Sequence, residues 1–491
     1  MTTRLAPADV REIQRYMYRE SFYRFFSRAW RIIEPIKPLV ENWHLRYLAD
    51  ELQAIVMRII RGERREHDYI INVPPATTKS SLVTVALPAW VWIVEPAFKI
   101  ISVSYADVLA HYHAGKTRDI ILSDWYQDLF GDIYRLRLDL NKKSEYANNM
   151  EGMRYAVGSG GSAIGRHADL ILCDDPINPR KAASVTELDA INDWWDTSIS
   201  TRLTDAAVSV KVIVMQRLAT NDLSGYCLKK GDYRHICLPA ELTPDVQPAH
   251  LAARYTSDGL LDPVRLNRDV LQAMRTSLGT MGYAGQMLQS PVAAGGNMVK
   301  QAWFGRFTLT SLQEQAAAER TPLVWNYTID GAYTDKQAND ATAILAYASF
   351  AGSLYIRDVA AVRLEMPDLL RFIPEFVTRN GDDQRASRVY IEPAASGLSV
   401  AQMLKRTSTL NVIIDTPPRT DQSARLAECL PFIEAGRVYL LQEAAYVKAF
   451  TDEVCAFPSH DHDDQVDALT MAIRRATAPG RSRQVWHVPL T

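Results

Sequence analysis

The sequence predicts an α/β protein with two successive sheet-forming halves. From residue 69 to about residue 240, apolar β-branched runs alternate with helical segments, which is typical of a mostly parallel sheet covered by helices on both faces. From residue 326 a second series begins with two runs joined at Ala351-Gly352, which predicts an antiparallel hairpin, and it continues with strand–helix alternation. Residues 246–320, with scattered prolines and polar turns, are expected to connect the two halves.

Length and composition narrow the class of protein. With 491 residues the chain can hold two or three domains with full cores. Its 47% hydrophobic and 23% charged residues are typical of a soluble globular protein. The net charge of −2 gives no overall basic field, so contact with DNA would need local patches. Five cysteines without a CxxC pair favour a reducing cytosol. We expect no signal peptide and no membrane partner, since the longest apolar run, Leu82 to Val94, contains Pro88 and is too short to span a bilayer.

Two amphipathic helices are predicted before the first strand, over residues 8–33 and 42–60. Trp43 and His44 open the second helix. An aromatic and a polar side chain just upstream of a nucleotide loop could line an adenine pocket, although Trp43 could equally be a core residue.

Two motifs follow strands of the first half. Six strand-like runs are predicted, at residues 69–73, 99–105, 154–157, 169–173, 208–215 and 235–238, with helices over 80–94 and 107–123. Ligands of parallel sheets bind at the carboxyl ends of the strands. Pro75–Ser81 follows the first run and Asp174-Asp175 follows the fourth, so both motifs are expected at one edge of the sheet.

The segment after the first strand has the outline of a phosphate-binding loop. The usual pattern has Gly six residues before the Lys and directly before it, whereas this chain has Val73 and Thr78 there. Lys79 is expected to bind phosphate, Ser80 to offer a hydroxyl to Mg²⁺, and backbone N–H groups from Thr77 onward to hold the anion. The predicted nucleotide-binding residues are Pro75, Ala76, Thr77, Thr78, Lys79, Ser80, Ser81, Asp174, Gln216, Trp43 and His44.

Asp174 is placed to hold Mg²⁺, and Asp175 to orient the attacking water. Adjacent carboxylates at a strand end repel each other unless a cation is present. The alternative is that Asp-Asp-Pro simply starts a turn. The two motifs together, in this order, favour an ATPase that uses ATP and Mg²⁺.

Three arginines are candidates for sensing or contacting phosphate: Arg118, Arg166 and Arg217. Arg217 and Gln216 end the run at residues 208–215, where Gln216 could respond to loss of the γ-phosphate. A solvated arginine at a buried strand end is the alternative for Arg217. The sequence does not distinguish action within one subunit from action on a neighbour.

Acidic residues mark a second site in the C-terminal half. Asp330 and Glu392 end predicted strands, and Asp463-Asp464 opens the last helix. Carboxylates gathered at one sheet edge can bind two Mg²⁺ or Mn²⁺ ions for phosphodiester cleavage. Individually, Asp463 could be a helix N-cap, Glu392 an ion-pair partner and Asp330 part of a turn.

With these motifs in place, the chain resembles the large terminase subunit of tailed bacteriophages. The matching stretches, in family order, are Trp43-His44, IINVPPATTKSS, KIISVSYADVLA, GRHADLILCDDP, VIVMQRLATNDLSG, TIDGAYTD, VYIEPAASG and HDHDDQVDA. The resemblance implies a P-loop ATPase domain of the RecA/ASCE-like class followed by an RNase H-like nuclease domain. It implies the nucleotide and metal roles given above, with Asp330, Glu392 and Asp463 or Asp464 as nuclease metal ligands. Two departures are Thr78 in place of the usual Gly and Asp175 where Glu is frequent.

The resemblance also implies a function and partners. The family hydrolyses ATP to move double-stranded DNA into a procapsid and cuts concatemeric DNA. Its members act as a ring, usually pentameric, on a portal protein with a small terminase subunit. The expected location is the host cytoplasm, transiently on the procapsid and not in the mature virion.

The expected domains are a helical adenine-side lid (1–60), the ATPase core (61–245), a connector (246–320), the nuclease (321–478) and a tail (479–491). A helicase or translocase without a packaging role would share the first half but leaves the three acidic positions unexplained. A resolvase- or integrase-type nuclease leaves Lys79 and Asp174 unexplained.

Overall fold

The computed structural model describes residues 7–291, 298–331, 341–381, 386–393, 397–418, 420–458 and 463–478. The chain divides into two compact units, Met1–Ala293 and Ala294–Thr491. In the described part of the chain, no helix combines the length and the apolar character needed to cross a membrane.

The first unit is an eight-stranded sheet with helices. Its helices are α1 (Pro7–Glu20), α2 (Phe22–Ile33), α3 (Trp43–Ile60), α4 (Leu87–Val94), α5 (Asp107–Leu122), α6 (Asp124–Phe130), α7 (Val185–Trp194), α8 (Leu223–Lys230) and α9 (Arg268–Gln286). Its strands are β1 (Asp68–Asn72), β2 (Lys99–Ser104), β3 (Leu136–Asn141), β4 (Glu145–Asn148), β5 (Met153–Gly158), β6 (Leu170–Asp174), β7 (Val210–Met215) and β8 (Tyr233–Cys237). Ser81–Ala86 and Trp195–Ile199 form π-helical turns, and Pro179–Lys181 and Ala249–Arg254 form 3₁₀ turns.

The strand order is β3-β4-β5-β2-β6-β7-β1-β8. The six strands from β5 to β8 in this order run parallel, and β3 and β4 add an antiparallel edge. β1 and β6 are buried at every position, as expected of strands covered on both faces. The mostly parallel sheet of the predicted fold class is therefore confirmed, and the ends of β1, β6 and β7 lie side by side.

The single helix expected over residues 8–33 is wrong in one respect, because the chain forms two helices there. Ser21 has an extended backbone, and its Oγ accepts from the N–H of Arg24 at 3.3 Å, so it caps α2. The change of direction lets Phe22 pack on Trp90 with ring centroids 5.4 Å apart. Both side chains are fully buried.

The second unit is built on a seven-stranded sheet. Its helices are α10 (Leu309–Ala318), α11 (Met366–Asn380), α12 (Gly397–Thr407), α13 (Gln422–Glu434), α14 (Tyr446–Ala456) and α15 (Asp464–Thr477). Its strands are β9 (Phe304–Phe307), β10 (Asn326–Gly331), β11 (Thr342–Phe350), β12 (Ser353–Val362), β13 (Arg388–Ile391), β14 (Asn411–Ile414) and β15 (Val438–Leu441), with a 3₁₀ turn at Gln301–Trp303.

The order of this sheet is β14-β13-β10-β11-β12-β15-β9. β10, β11 and β12 are antiparallel, and β13, β14, β15 and β9 join them in parallel. An antiparallel meander flanked by parallel strands is the RNase H-like arrangement predicted from the hairpin and the alternation that follows it. β13 lies against β10, which brings the ends of these two strands together.

The segment expected as a connector, residues 246–320, contributes to both units. α9 belongs to the first unit, and β9 pairs with β15 in the second. The tail at residues 479–491 lies outside the described residues.

Candidate active sites

The loop after β1 and the ends of β6 and β7 form one pocket in the first unit. Lys79 Nζ lies 3.0 Å from Asp175 Oδ1 and 3.4 Å from Gln216 Oε1. The open pocket has a volume of about 190 Å³. It is lined by Pro75, Ala76, Thr78, Lys79, Ser80, Ser81, Asp175 and Gln216. Three strand ends thus bring a cation, hydroxyls and a carboxylate around a cavity open to an anionic ligand.

The backbone of the loop turns through the left-handed region at two non-glycine residues. Ala76 has φ 63° and Thr78 has φ 69°. Thr78, which occupies the position where Gly is usual, therefore adopts a glycine-like conformation. Because Thr is β-branched, this conformation costs conformational free energy. Thr77 fastens the turn, because its Oγ1 donates to the carbonyl of Pro74 at 2.7 Å.

Asp174 forms the floor beside the loop. Its carboxylate accepts from Ser80 Oγ at 3.1 Å and from Thr84 Oγ1 at 2.8 Å. Burial, reinforced by the charge of Asp175, raises the pKa of Asp174 to about 6. A buried carboxylate touching the Ser80 hydroxyl is the donor pair that suits Mg²⁺ bound with a nucleotide.

Behind Asp174 lies a buried histidine that was not predicted from the sequence. His113 Nδ1 is 3.7 Å from Asp174 Oδ2 and has no hydrogen-bond partner among the described residues. Burial lowers the pKa of His113 to about 4, so the ring is neutral near pH 7.

Thr84 could have been found from its spacing, because it lies four residues after Ser80 and shares its helical face.

Trp43 and His44, the two candidates for lining an adenine pocket, lie in different surroundings. His44 is buried, and its Nε2 is 3.3 Å from the carbonyl of Thr77, so it contacts the loop backbone. Trp43 packs against Tyr255, with ring centroids 5.9 Å apart, and beneath the guanidinium of Arg254.

Each arginine candidate has a partner within the first unit. Arg166 pairs with Glu145 at 2.8 Å, Arg217 with Asp222 at 3.0 Å, and Arg118 donates to Asn141 Oδ1 at 3.2 Å. None of the three lines the pocket described above.

In the second unit, acidic residues meet at the end of β10. Ile329 of β10 lies opposite Ile391 of β13, so the residues that follow them, Asp330 and Glu392, lie at the same edge of the sheet. Burial raises the pKa of Asp330 well above its usual range, and the carboxylates of Asp467, Glu392 and Asp464 raise it further. Asp463 precedes α15 and makes no side-chain cap for it.

Asp467 and Arg425 extend this cluster. Arg425 Nη2 lies 3.0 Å from Asp467 Oδ2, and its Nη1 lies 3.4 Å from Glu392 Oε2. Burial raises the pKa of Asp467 to about 6. Asp467 stands one helical turn after Asp463 and Asp464, a spacing that places it on their face of the helix. No motif pointed to Arg425.

The donor set of the cluster is all oxygen, which suits Mg²⁺ or Mn²⁺. The arrangement is not that of a formed metal centre. Across the described ranges, no three His, Cys, Asp or Glu side chains are grouped so that they could hold one ion. The chemistry of the donors fits a divalent cation, whereas their positions fit an arginine-paired cluster.

Comparison with known proteins finds a family match for part of the second unit. Residues 328–476 match the family model described as the terminase RNaseH-like domain. No curated protein matches the chain.

Three solved structures illustrate the similarity. A large terminase from a thermophilic bacteriophage, solved in complex with ADP, is 12% identical, with a TM-score of 0.48, over 86% of this chain and 98% of that one. The HK97 bacteriophage large terminase is 12% identical, with a TM-score of 0.38, over 93% and 99%. The large terminase nuclease of the thermophilic phage G20c with bound zinc is 18% identical, with a TM-score of 0.24, over 30% and 80%. The match of residues 328–476 to the terminase RNaseH-like domain confirms, for this part of the chain, the resemblance to terminases drawn from the sequence.

Proposed function

We propose that the chain is the large subunit of a phage terminase, an ATP-driven motor that moves double-stranded DNA into a procapsid and an endonuclease that cuts concatemeric DNA. One observation carries the proposal. Lys79 and Ser80 face Asp175 and Asp174 in one unit of a chain whose other unit matches the terminase RNaseH-like domain family. Neither a translocase nor a nuclease alone accounts for both.

In the first unit, Lys79 would break its ion pair with Asp175 and bind the phosphates of ATP. Ser80 and Asp174 would hold Mg²⁺, which supplies charge neutralisation at the phosphates when bound. Asp175, released from Lys79, would orient the attacking water. His44 supports the loop from behind at Thr77, and Trp43 is the adenine-side candidate.

Gln216 contacts Lys79, so it is placed to respond to the phosphates. Arg118, Arg166 and Arg217 are paired within the unit. Any of them that serves as an arginine finger would first have to leave its partner, whether it acts within its own subunit or on a neighbouring one.

In the second unit, the proposed metal ligands are Asp330, Glu392, Asp463 and Asp464. We add Asp467 to this proposal because it shares Arg425 with Glu392. Two Mg²⁺ or Mn²⁺ ions supply water activation and stabilisation of the leaving oxygen when bound. Asp330 pairs with Ala343 at the end of β10, so the sheet fixes the backbone from which its carboxylate projects.

The proposed partners are double-stranded DNA, a portal protein, a small terminase subunit and further copies of this chain in a ring, which we propose to be a pentamer on the procapsid. The proposed location is the host cytoplasm. The family match and the sequence resemblance support these proposals together.

The ATPase half is tested by phosphate release from the purified chain with Mg²⁺-ATP. Lys79→Ala is expected to abolish turnover, because the site loses its phosphate cation. Lys181→Ala is the matched control, since that side chain pairs with Glu187 on the surface. Unchanged turnover in Lys79→Ala would remove the P-loop assignment.

The nuclease half is tested by plasmid degradation with Mn²⁺, with and without ATP. Asp330→Asn is expected to abolish cutting while ATP hydrolysis persists. The control is Asp452→Asn, which removes an exposed carboxylate of the same unit. Cutting that survives in Asp330→Asn, or that is absent from the native chain with every divalent metal, would contradict the nuclease assignment.

A further inference from the structure

Arg425 links two of the carboxylates assigned to the nuclease site. It lies in the first turn of α13 and is 11% exposed. One of its terminal nitrogens reaches Glu392 after β13, and the other reaches Asp467 on α15. A single guanidinium on α13 therefore contacts one carboxylate after β13 and another on α15.

The network around Arg425 is incompletely satisfied. Asp467 Oδ2 accepts from both Arg425 and Gln422, the latter at 2.7 Å. Asp467 Oδ1 is buried and, like Arg425 Nε, has no hydrogen-bond partner among the described residues. Asp467 is only 5% exposed. A buried carboxylate oxygen without a partner is costly and indicates a further ligand.

The charge balance points to a cation. Asp330 lies within the electrostatic reach of Asp467, Glu392 and Asp464, and Arg425 is the positive group that opposes them. One arginine does not neutralise four carboxylates. The oxygens that Arg425 occupies are also those that a divalent cation would take, because Mg²⁺ and Mn²⁺ bind the same carboxylate lone pairs.

We propose that Arg425 is a counterion that competes with the divalent metal of the nuclease site. It holds Glu392 and Asp467 in the metal-free chain, and metal binding requires those carboxylates to leave it. This inference rests on the proposed nuclease function. Arg425 is accordingly a positioning residue that keeps the acidic cluster stable and inactive until metal enters.

The test measures Mn²⁺ binding to the full chain in the absence of nucleotide and DNA. Free Mn²⁺ is quantified by its electron paramagnetic resonance signal. The binding lost in Asp330→Asn is taken as the nuclease component. Arg425→Gln is expected to tighten that component about tenfold, because loss of one charge-assisted contact of this kind corresponds to roughly a factor of ten. In EDTA the same variant is expected to melt at a lower temperature, since its carboxylates repel without a partner.

Two further variants separate displacement from other causes. Arg425→Lys keeps the charge but cannot bridge two carboxylates, so an affinity gain of about threefold is expected. Arg475→Gln removes one charge from the same unit, where Arg474 still pairs with Asp415, and it is expected to leave Mn²⁺ affinity unchanged. Arg425→Lys also serves if Arg425→Gln does not fold.

The outcomes are distinguishable. Weaker or unchanged Mn²⁺ binding in Arg425→Gln, or native affinity in Arg425→Lys, overturns the competition while leaving the nuclease proposal standing. Equal Mn²⁺ binding by the native chain and Asp330→Asn overturns the metal site itself, and the competition with it.

Discussion

Replacing Thr78 by Gly is expected to stabilise the first unit, although it removes a side chain. Thr78 has φ 69°. The left-handed region costs an L-residue roughly 1–2 kcal/mol, and a β-branched residue belongs at the upper end of that range. Glycine removes this cost but adds about 0.5–1 kcal/mol of conformational entropy in the unfolded chain. The net expectation for Thr78→Gly is a gain of about 1 kcal/mol.

Calorimetry of the nucleotide-free chain measures this gain. For a unit of this size, ~1 kcal/mol raises the melting temperature by about 2 °C. Thr276→Gly is the matched control, because Thr276 is exposed in helix α9. There the same substitution should cost roughly 0.5 kcal/mol. A Thr78→Gly variant that melts no higher than the native chain would refute the strain argument.

Three further perturbations follow from buried groups. Burial lowers the pKa of His44 to about 4, so the neutral ring's stabilising contribution is present above pH 6.5 and is lost as pH falls towards 4. The loss is about 1.4 kcal/mol at pH 5.5. In His44→Gln, the free energy of unfolding measured in urea should therefore fall by about this much less between pH 7.5 and 5.5 than in the native chain. Glu453 accepts from the backbone N–H of Gln465 at 2.7 Å; Glu453→Ala should lower the free energy of unfolding of the second unit by about 1–2 kcal/mol in urea, and an unchanged midpoint would contradict this capping role. Arg217→Ala removes the guanidinium partner of the fully buried Asp222, which keeps only its hydrogen bonds from the backbone N–H groups of Leu218, Ala219 and Gly225. A loss of about 2 kcal/mol is therefore expected in the same assay, and a loss below ~1 kcal/mol would disagree.

The central strands could be predicted because their residues are apolar and buried. β1 and β6 hold apolar runs at residues 69–71 and 170–173, both strands are buried at every position, and each run leads into its motif. β3 could not be found this way, since none of Leu136–Asn141 is buried and its pairing with β4 is irregular. Leu136, Leu138 and Leu140 do alternate with polar residues, which is a strand pattern. The strand lies at the edge of the sheet, however, and lacks the continuous apolar run by which the central strands are recognised.

The candidate sites divide along similar lines. Lys79 and Asp174 were predictable because each follows a predicted strand, and because the lysine motif precedes the acidic motif along the chain. Arg425 was not, because its role depends on α13 lying beside α15, and such proximity is a tertiary property. The sequence could name Thr78 as an unusual residue, but only the backbone dihedral reveals that the loop keeps the glycine conformation without the glycine.

The position of β9 matters for anyone who wishes to produce the second unit alone. Phe304–Phe307 cover one side of β15 as the outermost strand of the sheet. A recombinant fragment starting at residue 321, the boundary expected from sequence, would leave the backbone N–H and C=O groups of β15 open to pairing with other molecules. A fragment starting at residue 298 would carry its own edge protection, so it should remain monodisperse at concentrations where the shorter one aggregates.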